Sequence, residues 1–336
     1  MLRFRSFHNF DPPALANIWA EQSRFGVPCL EVTPGILERH VLGKIFFQRE
    51  GLVVALQGSE PVGFAHAGFG PSQAGVGLDT SVGVICVVAI TPGEARKKVA
   101  EGLIRLCEEY LRGSGARQIF VGGAPFVEPF WVGICPGARP PGIPEGYPVV
   151  HEILQDLGYT AVQRRRVFHV CLQKCCPPIR PEFLRIQISH VVSSMGEVEL
   201  FSWWELATLA SFQLEGFELR DRRSSRPVAR LRMLYHDSPG GWAVPRCVSV
   251  WDISEMPPSL GKEGEAFMIA QVANELTRRG VEALAIQVQV PVSQQEADSK
   301  VPVPVSQQDT DGELPYCEWL GFLPCLSGIV YSKCFS

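Results

Sequence analysis

A chain of 336 residues has the length of two ordinary domains or one large one. With 46% apolar and 20% charged residues it can fill packed cores, which excludes a disordered polyampholyte. Its 31 basic and 35 acidic residues leave a net charge of −4, without the basic excess of a nucleic-acid binder.

The opening stretch Met1–Phe7 has no apolar h-region and no small-residue cleavage site, so it reads as a strand rather than a signal peptide. Asp11-Pro12-Pro13 reads as an N-cap with proline in the first turn, ahead of Leu15, Ile18 and Trp19 at helical spacing. Leu52–Leu56 and Pro61–Phe69 are strand-like runs, and the Gln57-Gly58-Ser59-Glu60 turn between them predicts a hairpin. The apolar run Val82–Ile90 is about half of a bilayer span and reads as a buried strand. After Thr91-Pro92-Gly93-Glu94, the spacing of Val99, Leu103, Leu106, Cys107 and Tyr110 predicts a helix from about Arg96 to Arg112. Gly113-Ser114-Gly115 stops that helix, and Arg117–Val121 is the next strand.

The second half repeats this order. Val248–Ile253 is apolar, Pro257-Pro258 breaks it, and a helix follows from about Gly264 to Arg279. Gly280 ends that helix before the strand Ala283–Val290. Pro92 and Pro258 lie 166 residues apart, Gly115 and Gly280 165, and Gly158 and Gly321 163. Landmarks with one geometric task at nearly one offset indicate a duplication. The predicted domains are 1–173 and 185–336, joined by a linker at 174–184 that contains Pro177, Pro178 and Pro181. Each half carries an irregular insertion after its post-helix strand: Pro/Gly-rich Ala124–Pro148 in the first, and a polar tract near 290–312 in the second. The second tract, with its repeated Val-Pro-Val-Ser-Gln-Gln, is expected to be a disordered surface loop.

Eleven cysteines, an odd number without framework spacing, read as reduced thiols of a cytoplasmic protein. The patch His169, Cys171, Cys175 and Cys176 lacks paired CxxC spacing, so no metal is assigned.

The unit that carries chemistry is strand, proline break, loop and amphipathic helix, in which backbone N–H groups at the helix start form a cradle for a diphosphate. In the second half it spans Glu255–Ala266, with Gly264 and Ala266 small and Lys262 cationic. Here the sequence resembles the GNAT acyltransferase superfamily, whose acyl-CoA loop reads Gln/Arg-x-x-Gly-x-Gly/Ala. Gly261-x-x-Gly264-x-Ala266 fits all but the first position, and Leu320-Gly321-Phe322 and Leu157-Gly158-Tyr159 match a family turn. The ordered double occurrence resembles the tandem GNAT proteins of the mycothiol-synthase-like arrangement. The resemblance implies an α/β (α+β) fold of two GNAT-like domains, each a mostly antiparallel mixed sheet flanked by helices, with splayed central strands.

It further implies acetyl-CoA as co-substrate, a small-molecule or peptide primary amine as acceptor, and direct attack of the amine on the thioester. In the first half the corresponding loop is Ala95–Ala100, with Lys98 where the family has glycine. The expected active centre is therefore in the second half. Met256, Gly261, Lys262, Gly264, Glu265 and Ala266 are the expected cofactor-binding residues. Glu255, or less favourably Asp252, is the candidate base. Cys317 stands where many relatives have a proton-donating tyrosine, with Tyr316 beside it and Leu154 at the equivalent place in the first half. The alternative expectation is a catalytically inactive pair of GNAT-like domains that binds a ligand or partner, with the Arg96–Lys98 cations as a second way to hold phosphates.

Overall fold

The computed structural model describes residues 1–25, 31–72, 76–93, 95–125, 127–135, 137–174, 180–200, 202–236, 247–292 and 319–335. The first half contains β1 (Leu2–Ser6), α1 (Pro12–Ala20), α2 (Pro34–Leu37), β2 (Leu52–Gln57), β3 (Glu60–Pro71) and β4 (Leu78–Ile90). It continues with α3 (Arg96–Gly113), β5 (Gln118–Val121), β6 (Ile143–Pro144), α4 (Pro148–Asp156) and β7 (Thr160–Cys171). The second half contains α5 (Pro181–Ser189), β8 (His190–Glu197), α6 (Trp203–Leu209), β9 (Gln213–Asp221) and β10 (Pro227–Tyr235). After these come β11 (Cys247–Ser254), α7 (Gly261–Arg278), β12 (Ala283–Pro291) and β13 (Leu323–Cys334). The Gln-rich tract and most of the proline-rich linker lie outside the described residues.

All strands join one mixed α/β sheet in the order β1-β2-β3-β4-β5-β13-β7-β12-β11-β10-β9-β8, with β6 attached to β13. The order reads the same from both ends if each first-half strand is exchanged for its second-half counterpart. At the centre the halves trade their last strands. β13 pairs antiparallel with β5, β7 pairs antiparallel with β12, and the two pair with each other. The sheet is therefore continuous across the sequence boundary between 1–173 and 185–336.

The predicted hairpin forms, with Gly58 at φ +68° supplying the turn conformation that a Cβ disfavours. Asp11 occupies the N-cap position of α1 without capping it. Its carboxylate instead accepts two 2.7 Å hydrogen bonds from the Arg5 guanidinium and one from the His8 amide, a charge-assisted set that outcompetes a neutral cap. Leu103, Ile104 and Cys107 of α3 pack with Val150 and Leu154 of α4 on one face of the sheet, and α7 and α5 cover the second half. On the opposite face α1 packs with Phe130 and Trp131.

Between β1 and β2 the first half has two helices, whereas α6 alone is described between β8 and β9. First-half residues fill the remaining space. His40 stacks on Phe212 at 4.0 Å, Phe46 stacks on Trp204 at 4.8 Å, and Val132 and Ala138 pack with Leu214 and Leu234. The aromatic cluster around Trp203, Trp204 and Phe212 is thus an interface between halves.

His66 of β3 is wholly buried against Phe130, with ring centroids 4.1 Å apart. Its Nδ1 accepts the Trp131 indole N–H at 3.1 Å, which leaves the proton on Nε2. Burial holds its pKa down at about 3, so the ring is neutral in the fold and charged in the unfolded chain below pH ~6.5. Stability from this group is complete above that pH and is lost as pH falls, at about 1.4 kcal/mol per unit. Urea unfolding of wild type and His66→Gln at pH 7 and pH 5 should show a smaller acid loss in the variant; equal losses would refute the assignment.

Candidate active site

The two halves superpose in helix register at an offset of 165. Ala95 and Leu260 are the N-caps of α3 and α7, and Val99 and Gly264 donate the equivalent first helical bonds, to Ala95 O and Leu260 O. Strand irregularities keep the same offset. The β3–β4 register skips Cys86 and the β10–β11 register skips Trp251. This corrects the alignment drawn from the proline landmarks, because Gly264 stands opposite Val99 and Glu263 stands opposite Lys98.

The second-half loop does not form an open cradle. The amides of Leu260 and Gly261 both donate to Pro257 O, at 2.9 and 3.1 Å, and the Gly264 amide donates to Leu260 O at 2.9 Å. A Cβ on Gly264 would lie 2.7 Å from both Met256 Sδ and Leu260 Cβ. Gly264 is therefore small because Met256 folds back onto it, and Met256 fills the place expected for a phosphate. Ala266 is fully buried in the second-half core and faces no loop surface. Gly261, at φ +45°, is the first residue of α7. Lys262 is exposed, Glu265 is half-buried, and Glu263 supplies negative charge in the first turn that already complements the helix dipole.

Glu255 ends β11 at φ +62°, with its carboxylate 3.4 Å from Arg230 and its side chain 56% exposed. Asp252 is held by Arg232, which also binds Glu205 at 2.8 Å. Both carboxylates are thus paired with arginines. Tyr316 and Cys317 lie outside the described residues.

The first half differs. The opening turn of α3 holds Arg96, Lys97 and Lys98 and no acid, an arrangement that the positive end of a helix disfavours in the absence of an anion. Lys97 lies 3.7 Å from Glu152 in an exposed pair, and the Lys98 side chain faces solvent rather than the cradle. β4 pairs in parallel with β5 only over Val82–Ile85, then diverges beyond the skipped Cys86. Under the diverging segment Val87–Ala89 lies a cavity of about 30 Å³, walled by Trp19, Gln22, Trp131, Pro141 and Tyr147 among others. Among the described residues no charged side chain lines it. Leu154 is fully buried and packs in the core.

Residues 124–144 link the two halves. Phe130 and Trp131 are tucked into the first half's own core. Glu128 and Arg165 form an ion pair at 2.5 Å with both side chains buried. Gly137 N–H donates to Ser249 Oγ at 3.1 Å, and His236 bridges Gly133 O and Ser249 Oγ at 2.8 and 2.6 Å. The run Arg164-Arg165-Arg166 in β7 was the available signal for this buried pair, since charge in a central strand demands a partner.

Residues 14–126 match the sequence model of the acetyltransferase (GNAT) family. No curated protein matches the chain. A GCN5-related N-acetyltransferase from Sphaerobacter thermophilus is similar in structure, with a TM-score of 0.63 at 13% identity over 99% of this chain and 95% of its own. A tandem GNAT protein from the clavulanic acid biosynthesis pathway has a TM-score of 0.59 at 11% identity over 99% and 98%. The GCN5-related glucosamine N-acetyltransferase region of a fungal multi-domain GH3 beta-N-acetylglucosaminidase has a TM-score of 0.64 at 13% identity; this chain spans 38% of that protein. The first half thus carries the sequence pattern of the GNAT family, and the chain as a whole has the fold of these two-unit acetyltransferase-like structures.

Proposed function

We propose that the chain is an acyl-CoA-dependent N-acyltransferase whose co-substrate is held by the first half, with the second half as its structural partner. The observation that carries this reading is the acid-free cationic turn Arg96–Lys98 at the mouth of the diverging β4 and β5. The family match over residues 14–126 supports the same half. It replaces the expectation of a second-half centre, where Met256 packs onto Gly264 and Glu263 puts negative charge in the first helical turn.

Bound acyl-CoA would supply an activated thioester. Lys97 and Lys98 would neutralise its diphosphate, assisted by the N-terminal amides of α3. Main-chain N–H groups of β4, freed from β5 beyond Ile85, would polarise the acyl carbonyl. The acceptor is a primary amine, which attacks the thioester in its unprotonated form. A non-catalytic, CoA-binding protein is the second reading, favoured by Leu154 at the proton donor's position and Val99 opposite the family's glycine.

Calorimetric titration with CoA tests the site. Lys97→Glu/Lys98→Glu should weaken binding about tenfold or more, while Lys262→Glu leaves it unchanged. The reverse pattern would return the site to the second half, and absence of CoA binding would refute the transferase. Binding without transfer to any amine would select the second reading.

A further inference from the structure

At the second half's strand divergence, polar groups remain unbonded. β11 and β12 pair in parallel only as far as Ser249 and Ala285. Two residues further along each strand stand Trp251, which the β10 register skips, and Gln287. First-half residue Arg139 lies over this gap, with its guanidinium carbon 4.0 Å from the centroid of the Trp251 ring.

The amide nitrogen of Gln287 donates to Pro140 O at 3.2 Å and to Arg139 O at 3.5 Å. Those two carbonyls fix the amide's orientation, so its other end must be the oxygen. That Oε1 is buried and has no donor among the described residues. The Arg139 guanidinium, in turn, makes no hydrogen bond or ion pair among the described residues, although burial depresses its pKa. Glu128 and Asp252 attract it while Arg165 and Arg232 repel it, and each carboxylate is already bonded to one of those arginines. Two charges of each sign cancel. The positive charge of Arg139 is left without a partner, and a guanidinium cannot shed its proton.

We infer that Arg139, Trp251 and Gln287 form a second small-molecule site, separate from the first-half co-substrate site, for a ligand carrying a carboxylate with an N–H donor close by. An α-amino acid is the simplest such ligand. Stacking on the indole uses the face of the guanidinium and not its N–H edge, and that edge matches a carboxylate in two parallel hydrogen bonds. The ligand's ammonium donates to Gln287 Oε1, which no donor among the described residues reaches.

Thermal shift and calorimetry with individual L-amino acids at millimolar concentration test the site, with acetate and methylamine as one-ended probes. At least one amino acid should bind more tightly than either probe. Arg139→Met should weaken that binding about tenfold or more, the loss of a bidentate charged pair. Gln287→Met should weaken it less, and CoA binding should be untouched in both. Arg139→Lys, which keeps the charge and loses the planar fork, serves if the methionine variant fails to fold, and should also bind more weakly. Binding that survives these Arg139 substitutions, acetate binding as tightly as the best amino acid, or no amino acid binding at all would overturn the assignment.

Discussion

Deleting β13 should unfold the first half of the chain along with the second. The strand is the last element in sequence and the sixth in the sheet, and it is paired along both edges. Tyr331 and Ile329 belong to the first-half core with Val121 and Leu154, and Val330 packs in the cluster around Trp131. Each such side chain contributes roughly 1.5–3 kcal/mol on burial. Losing these side chains and two strand ladders exceeds much of the ~5–15 kcal/mol that holds an ordinary domain together. Truncation after Trp319 should therefore yield aggregated protein, and in the intact chain both halves should melt in a single calorimetric transition. A truncated protein with a cooperative melt would show that the first half is complete without the exchanged strand.

Arg165→Met should be among the most destabilising single substitutions. The guanidinium donates to Glu128 Oε1 at 2.5 Å, to Pro140 O at 2.7 Å and to Ala124 O at 2.6 Å, with no exposed surface. Its removal strands the buried Glu128 carboxylate and the Ala124 carbonyl, and breaking one side of a buried pair costs about 3–5 kcal/mol. Burial already pushes the Glu128 pKa up, and Arg165 opposes that rise. Without Arg165 the folded-state pKa climbs further above the unfolded value. A raised pKa means that stability is present at low pH and lost as pH increases, so the deficit of Arg165→Met should shrink from pH 8 to pH 5. Glu128→Gln in the same chain should recover part of the loss and flatten the dependence. Urea denaturation at both pH values checks this; a deficit below 1 kcal/mol at pH 8, or one that grows on acidification, would refute it.

Local structure was legible in the residues, and long-range placement was not. The hairpin at Gly58, the α3 helix and the repeat offset follow from turn chemistry and apolar periodicity, which act over a few residues. The skipped residues Cys86 and Trp251 confirm the duplication at a place no composition argument reaches. The strand exchange left no trace, because the apolar pattern of Leu323–Cys334 is the same whichever neighbours it pairs with. Gly264 misled for a related reason. A glycine beside a helix start suits a phosphate or a folded-back side chain equally, and only the position of Met256 decides. Glu128 and Arg139 are ordinary charges in an irregular segment until Arg165 and Trp251 are seen beneath them.

The traded strands also bear on what selection can remove. If neither unit folds without the other's final segment, no deletion can discard either one. Point changes that erase its chemistry are tolerated so long as they spare the pleats it lends. A unit that lost its chemistry would then be kept as scaffolding by the demands of folding alone, with its surface free to take up a different ligand.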